Sequence, residues 1–211
     1  MKKDHFNPIA KVYDRLAKIV FGNSIIDIQH QTFEKVKMGG KVLILGGGSG
    51  KILPFIDQQI KPNDITYVEL SSEMIELAKD KKVSCSINFI QDSYEVINPD
   101  KNKYDVLITN FFLDILTYEK LTAFINTSHE LLNQNGQWIV TDFRIDPHPL
   151  KKVFHQTLHK CMVLFFKITV NLQNSKLYDY EEMIRNGNHF QQKIAYKAFS
   201  KMMFSTLFQK V

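Results

Sequence analysis

The chain has 211 residues, 44% hydrophobic and 23% charged, with a formal net charge of +5. That is ordinary for one globular domain with a full core, and it excludes a disordered or fibrous chain. Two cysteines, Cys85 and Cys161, each within an apolar run, exclude a disulfide framework and a cysteine-held metal cluster and fit a reducing compartment.

The opening stretch MKKDHFNPIAKVYDRL has no continuous apolar segment of the kind a signal peptide needs. No run approaches the ~18 apolar residues of a membrane span, so the expected location is cytoplasmic. A pI near 9.0 permits an anionic partner, but a modest lysine surplus reads first as plain surface, and nucleic acid is not the expected partner.

In residues 8–20, Ile9, Tyr13, Leu16 and Val20 recur at i, i+4, i+7 and i+11, one stripe of a helix with Pro8 in its first turn. A second helix is expected over 25–36, broken at Gly39-Gly40. KVLILGGGSG, residues 41–50, then reads as a strand buried on both faces that breaks into a glycine turn and a helix start. Gly46, Gly48 and Gly50 stand at alternate positions, where positive φ and close approach to a ligand are open to the backbone. A phosphate-cradling P-loop is excluded because Leu45 stands where its first glycine belongs and Ile52 where its hydroxyl residue belongs. The dinucleotide fingerprint fails at Lys51.

A helix over 51–60, a turn at 61–64 and a strand over 65–68 lead to Glu69, nineteen residues after Gly50. That offset suits a carboxylate accepting hydrogen bonds from ribose hydroxyls. Ser71 or Ser72 caps the next helix, with Glu73 and Glu76 in its first turns. A third strand over 83–91 ends at Asp92-Ser93, and KYDVLITNFFLDIL supplies a fourth over 106–110, closed by Asn110 and Phe111. An amphipathic helix over 118–133 and a turn at Asn135-Gly136 precede a fifth strand over 137–143, which puts Asp142 and Phe143 at the same edge as Glu69 and Asn110.

Pro147 and Pro149 mark a change of texture. From residue 150 a helix places Leu150, Val153, Phe154, Leu158, Cys161 and Phe165 on one side and Lys151, Lys152, His155, His159 and Lys160 on the other. Packing on its own domain is the first reading, a lid over a lipophilic substrate the second, and a membrane-surface helix the third. His155 and His159 at i, i+4 lack a third ligand, so they read as part of a solvated basic face and no metal is expected. A short helix over 179–186 and two pairing strands over 189–199 and 202–208 complete the chain.

The pattern Gly46-x-Gly48-x-Gly50 resembles motif I of the class I S-adenosylmethionine (SAM) methyltransferases. VELSSEMIELAKDK is similar to the second motif of that family and KYDVLITNFFLDIL to its fourth, and LLNQNG before a strand repeats its pattern again. IAKVYDRL resembles the N-terminal cap of its small-molecule members, including the ubiquinone and menaquinone biosynthesis group. The motifs stand in family order across residues 41–143. The resemblance implies a Rossmann-like doubly wound α/β fold, a seven-stranded sheet mostly parallel with an antiparallel C-terminal strand and helices on both faces. It implies one domain over 1–211: a helical cap in 1–40, a cofactor-binding core in 41–143, and a substrate-side helix with the last strands in 144–211.

By the same resemblance the cofactor is SAM, with S-adenosylhomocysteine as product. Gly46, Gly47, Gly48, Gly50, Glu69, Leu70, Met74, Asp92, Ser93, Asn110 and Phe111 line it, with Asp92 at the adenine amine, while Tyr13, Asp142 and Phe143 face the acceptor. Asn110-Phe111-Phe112-Leu113 lacks the [NDS]-P-P-aromatic run of amine-methylating enzymes acting on adenine or glutamine, which counts against base methylation. Ile44 stands where the family usually has an acid linked to the methionine end of the cofactor, which keeps the aminopropyl transferases in view; the chain lacks their acidic acceptor site. The implied activity is methyl transfer to a small or lipophilic acceptor, largely by positioning. A general base is optional, with Asp142, Tyr13, His155 and Asp114 as candidates. A non-catalytic SAM-binding regulatory module and an RNA methyltransferase are the alternatives.

Overall fold

The computed structural model describes residues 10–37, 39–170 and 172–211, so the expectations for Pro8 and for the side chain of Tyr13 lie outside the described residues. Two helices, α1 (Ala10–Phe21) and α2 (Ser24–Phe33), precede the sheet. There follow β1 (Gly40–Leu45), α3 (Leu53–Gln59), β2 (Pro62–Glu69), α4 (Ser72–Lys79), β3 (Ser86–Gln91), β4 (Tyr104–Asn110), α5 (Tyr118–Thr127), β5 (Leu132–Phe143), α6 (Pro149–Val170), α7 (Tyr180–Asn186), β6 (Phe190–Ala198) and β7 (Met203–Lys210).

The seven strands are ordered β3-β2-β1-β4-β5-β7-β6. The first five run parallel, and β7 enters between β5 and β6 antiparallel to both, so the sheet is the doubly wound, mostly parallel one expected. Order reverses between β1 and β4, which leaves a crevice beyond their carboxyl ends, the place where open α/β sheets bind ligands.

Period-2 alternation sends neighbouring residues of each inner strand to opposite faces, and both faces are covered. Leu43 and Leu45 of β1 join Leu107, Trp138 and Val140 under Phe124 of α5 and Ile184 of α7. Val42 and Ile44 join Ile65, Val106, Ile108 and Ile139 under Phe33 of α2 and Ile56 of α3. At roughly 25 cal/mol per Å² of apolar surface removed from water, these two layers supply most of the driving force for folding. A third cluster at the carboxyl ends brings Phe21, Ile28, Phe143, Met202 and Met203 together with Phe111, Leu158 and Met162.

Several boundaries differ from the expected ones for local physical reasons. The turn at 61–64 shrinks to Lys61, at φ 53°, and Pro62 opens β2, an end position where its missing N–H costs no ladder bond. Strand β3 starts three residues late because the amides of Ser84 and Cys85 donate to the carboxylate of Asp57 instead of to β2. Helix α5 ends at Thr127, and the Asn135-Gly136 turn becomes an irregularity inside a twelve-residue β5, where the register jumps from Leu132 opposite Tyr104 to Gln137 opposite Val106.

Candidate active site at the carboxyl ends of the sheet

The glycine turn adopts the backbone its residues permit: Gly46, Gly48 and Gly50 sit at φ 66°, 63° and 70°. What surrounds each differs. A β-carbon on Gly47 would run into the ring of Tyr67, and one on Gly50 would meet Ala78 of α4 at 2.7 Å, so these two glycines let elements pack. A β-carbon on Gly48 would meet nothing within 4 Å. That side of the turn is open.

The turn is tied to β2 by several hydrogen bonds. The amide of Gly46 donates to the carbonyl of Val68 (2.9 Å), the hydroxyl of Tyr67 donates to the carbonyl of Gly48 (2.8 Å), and the amide of Gly48 donates to Glu69 Oε2 (2.9 Å). Glu69 Oε1 accepts from the amide of Ser71 (2.9 Å), whose own hydroxyl caps α4 by accepting from the amide of Met74 (3.1 Å). An ionised carboxylate offers about four acceptor sites, of which these amides take two. Glu69 therefore stands beside the glycine bend, held by the backbone on both sides.

Parallel register lines up the other expected residues along the same edge. Asp92 and Ser93 follow β3 beside Glu69, and Asp92 Oδ1 accepts from the Ser93 amide (2.6 Å), the start of a short 3-10 turn at Tyr94–Val96. Leu70 is half-buried after β2, whereas Met74 is buried in the packing of α4. Asn110 closes β4 and donates from Nδ2 to Gln29 Oε1 of α2 (2.8 Å), and its Oδ1 is buried with no partner. Phe111 follows in a left-handed conformation, φ 52°, with its amide on the carbonyl of Thr141 (2.7 Å) and its ring 4.9 Å from that of Phe143. An aromatic residue held at positive φ is strained by about 1 kcal/mol or more, and such strain gathers at functional sites.

Asp142 lies beside this edge but turns inward. It is fully buried, and its carboxylate accepts from the amides of Leu113 (3.0 Å), Asp114 (3.2 Å) and Phe143 (2.7 Å), bracing the segment that follows β4. Burial, and then the nearby Asp114, push its carboxyl well above the usual range. Asp114 is pushed up to about 7, chiefly by burial, and its Oδ1 has no partner. The hydroxyl of Tyr180, also buried without a partner, is raised by burial and by these two carboxylates. Burial and the neighbouring carboxyl both favour the protonated form of each acid.

The solvated basic face expected for His155 is corrected. His155 is fully buried, its Nδ1 accepts from the amide of Asp146 (3.1 Å), and burial lowers its pKa. The proton then belongs on Nε2, so the neutral ring is no base in this arrangement. Of the apolar side expected to pack inward, Leu158 does so, but Leu150, Val153 and Phe154 are exposed. Among the described residues no group of three or more His, Cys, Asp or Glu could hold a metal ion.

Three contributors carried no motif of their own. Tyr67 reads as an ordinary strand residue, yet it supports the glycine turn from below, in register with Ile44. Ile44 is buried in that layer, so the acid usual at this position has no counterpart and the turn is held by Tyr67 and Glu69 instead. Gln29 orients Asn110 across eighty-one residues, and α2 is pinned to the sheet by a buried hydroxyl chain, Thr32 to Ser205 (2.6 Å) and Ser205 to Thr141 (2.7 Å). No local pattern announces such long-range pairs.

Residues 42–136 match a family model described as a methyltransferase domain. A malonyl-[acyl-carrier protein] O-methyltransferase from Priestia megaterium is 30% identical over 110 residues, 51% of this chain and 39% of that protein, so the match spans well under half of the relative's length. Among solved structures, a chain of the Haloferax volcanii complex between the Trm112 methyltransferase activator and a methyltransferase superposes with a TM-score of 0.74 at 10% identity, covering 100% of this chain and 99% of that one. The N-methyltransferase NodS from Bradyrhizobium japonicum, in complex with S-adenosyl-L-homocysteine, superposes with a TM-score of 0.66 at 10% identity over 98% of this chain and 99% of its own. The matched segment, a little under half of the chain, contains the glycine turn, Glu69, Asp92 and Asn110 and is similar to a methyltransferase domain, and the seven-stranded sheet has the fold of these solved methyltransferases.

Proposed function

We propose that the chain is a methyltransferase that binds SAM across the carboxyl ends of β3, β2, β1 and β4 and methylates a small, lipophilic acceptor. The observation that carries this reading is the Glu69–Gly48 contact beside an open glycine flank. A carboxylate at that point suits the ribose diol, and the bare Gly48 lets the methionine portion pass against backbone. Asp92 and Ser93 on the next strand stand at the adenine end, with Leu70 on the ring. The residues present fit the cofactor: an open flank at Gly48 where a ligand can lie against bare backbone, and a buried acceptor, Asn110 Oδ1, with no donor.

When bound, the cofactor supplies a methyl group already activated on a sulfonium. The chain's own part is to position and to exclude water. Asn110, oriented by Gln29, offers its carbonyl oxygen at the end of β4. Phe111 and Phe143 form an apolar wall, backed by Phe21, which lies 5.3 Å from Phe143, and by Leu158 and Met162 of α6. Such a wall favours an apolar acceptor body over a charged one. Asp142 holds the Phe111–Asp114 segment in place and so acts as a positioning residue. The Priestia relative is named for O-methylation of a malonyl group carried on an acyl-carrier protein, an acyl acceptor and not a nucleic acid, which supports a non-nucleic-acid acceptor here.

The test is direct. S-adenosylhomocysteine raises the melting temperature of the wild-type chain and leaves that of Glu69→Ala unmoved, and labelled methyl passes from SAM to apolar phenols or amines in a panel that also contains transfer RNA. No melting shift with any SAM-related nucleoside, or label found in RNA alone, would overturn the reading.

A further inference from the structure

Helix α6 packs one side on the protein and turns an apolar stripe away from it. His155, Leu158 and Met162 point inward, against the cluster that contains Phe111 and Phe143. On the other side Leu150, Val153, Leu164 and Ile168 are 80%, 66%, 61% and 75% exposed, with Phe154 and Phe165 beside them. At 100° per residue these six lie within a sector of about 120°, so they form one continuous stripe rather than scattered singles. The surface continues past the helix. Phe199 touches Phe154 (ring centroids 6.4 Å) and Phe21 at the end of α1 (5.0 Å), next to exposed Ile19 and Val20. Phe199, Ser200 and Lys201 are three successive non-glycine residues at φ 47°, 55° and 71°, a strained corner that sets a ring and a cation at one end of the stripe.

Charge selects the occupant. The twenty-two residues of α6 include four lysines and no acid, and Lys160 and Lys167, one heptad apart, border the stripe, with Lys152 beyond them. A second copy of the chain would bring these lysines against their own kind. An anionic bilayer meets both features at once, taking the apolar stripe into its acyl boundary and the lysines at its headgroups. Among the described residues no helix is long and apolar enough to cross a membrane, so α6 lies along the surface, over about 33 Å.

We propose that the outer face of α6, extended by Phe199 and the end of α1, is the docking surface of this protein for an anionic lipid bilayer. The docking goes beyond the methyltransferase reading and does not depend on it. One consequence rests on that reading: the helix that meets the bilayer with one face covers the acceptor wall with the other, so a lipophilic acceptor enters from the membrane side.

Co-sedimentation with vesicles tests it, without cofactor or acceptor. The full chain should pellet with vesicles of equal parts phosphatidylglycerol and phosphatidylcholine and stay in solution with pure phosphatidylcholine. The exposed positions of Val153→Glu/Leu164→Glu/Ile168→Glu leave folding intact, read as an unchanged melting temperature, and lower partitioning by about a hundredfold. Lys160→Glu/Lys167→Glu lowers it by about tenfold or more. Failure to pellet with the anionic vesicles, equal binding to both compositions, or equal binding by the triple variant overturns the proposal. So does a dimer in lipid-free buffer that the triple variant dissolves, since the face then belongs to a second copy. None of these results touches the melting shift with S-adenosylhomocysteine, which tests the enzyme reading separately.

Discussion

Adding a single methyl group at Gly48 separates the cofactor reading from a merely structural glycine turn. Gly48 sits at φ 63° with nothing within 4 Å of where a β-carbon would stand. Gly48→Ala therefore meets no protein atom, and its cost to the fold is the left-handed backbone alone, about 1–2 kcal/mol, or a fall of roughly 2–8 °C in a chain of this size. For the ligand the account differs. A cofactor at about a hundred times its dissociation constant adds about 2.7 kcal/mol, which a thermal melt reads as roughly 5–10 °C in the wild type. A β-carbon where the cofactor must pass at backbone distance costs about 1–3 kcal/mol of overpacking in the complex, enough to remove most of that shift. Differential scanning fluorimetry with and without S-adenosylhomocysteine reads both quantities on one sample. Gly47→Ala is the control: its β-carbon enters the Tyr67 ring, so it should lower the melting temperature of the free protein more than Gly48→Ala does. If Gly48→Ala keeps the full ligand-induced shift, no cofactor passes there, and the argument from the open flank fails.

Tyr67→Phe removes the hydrogen bond to the Gly48 carbonyl and should cost about 1 kcal/mol of stability, measured by urea unfolding, with a matching loss of cofactor affinity by calorimetry. Because the fold raises the Asp114 carboxyl from 3.8 to about 7, the native state keeps a proton that the unfolded chain releases. Stability contributed at that site thus falls as pH rises between those values, and Asp114→Asn should gain on the wild type by the order of 2–4 kcal/mol from pH 5 to pH 8 in chemical unfolding. A difference that does not change over that range would contradict the buried acid pair. Arg144→Met strands Glu181, which accepts from Arg144 (3.1 Å) and from Thr206 (2.6 Å) in a largely buried setting, and should destabilise by about 3 kcal/mol, with Arg144→Met/Glu181→Gln recovering part of it.

Much of this molecule is written locally. A run such as Val42 to Leu45 is buried on both faces wherever it lies, three alternating glycines permit only a tight turn, and Ser71 caps α4 by bonds that span three residues. For that reason the order of elements follows from sequence periodicity, while the doubly wound sheet and the line of Asp92, Glu69, the glycines and Asn110 along one edge were what the family resemblance of the motifs implied. Tertiary structure decided what depends on a distant neighbour. It determined that Tyr67 supports the turn where Ile44 cannot, that Gln29 orients Asn110, that Asp142 spends its carboxylate on the loop after β4, and that His155 is buried. It also determined which face of α6 meets water. Helical spacing sets an apolar side against a basic one, but only the packing of Leu158 and Met162 on the cluster of Phe143 and Met203 decided which residues are covered, because periodicity records that a face is greasy and not what covers it.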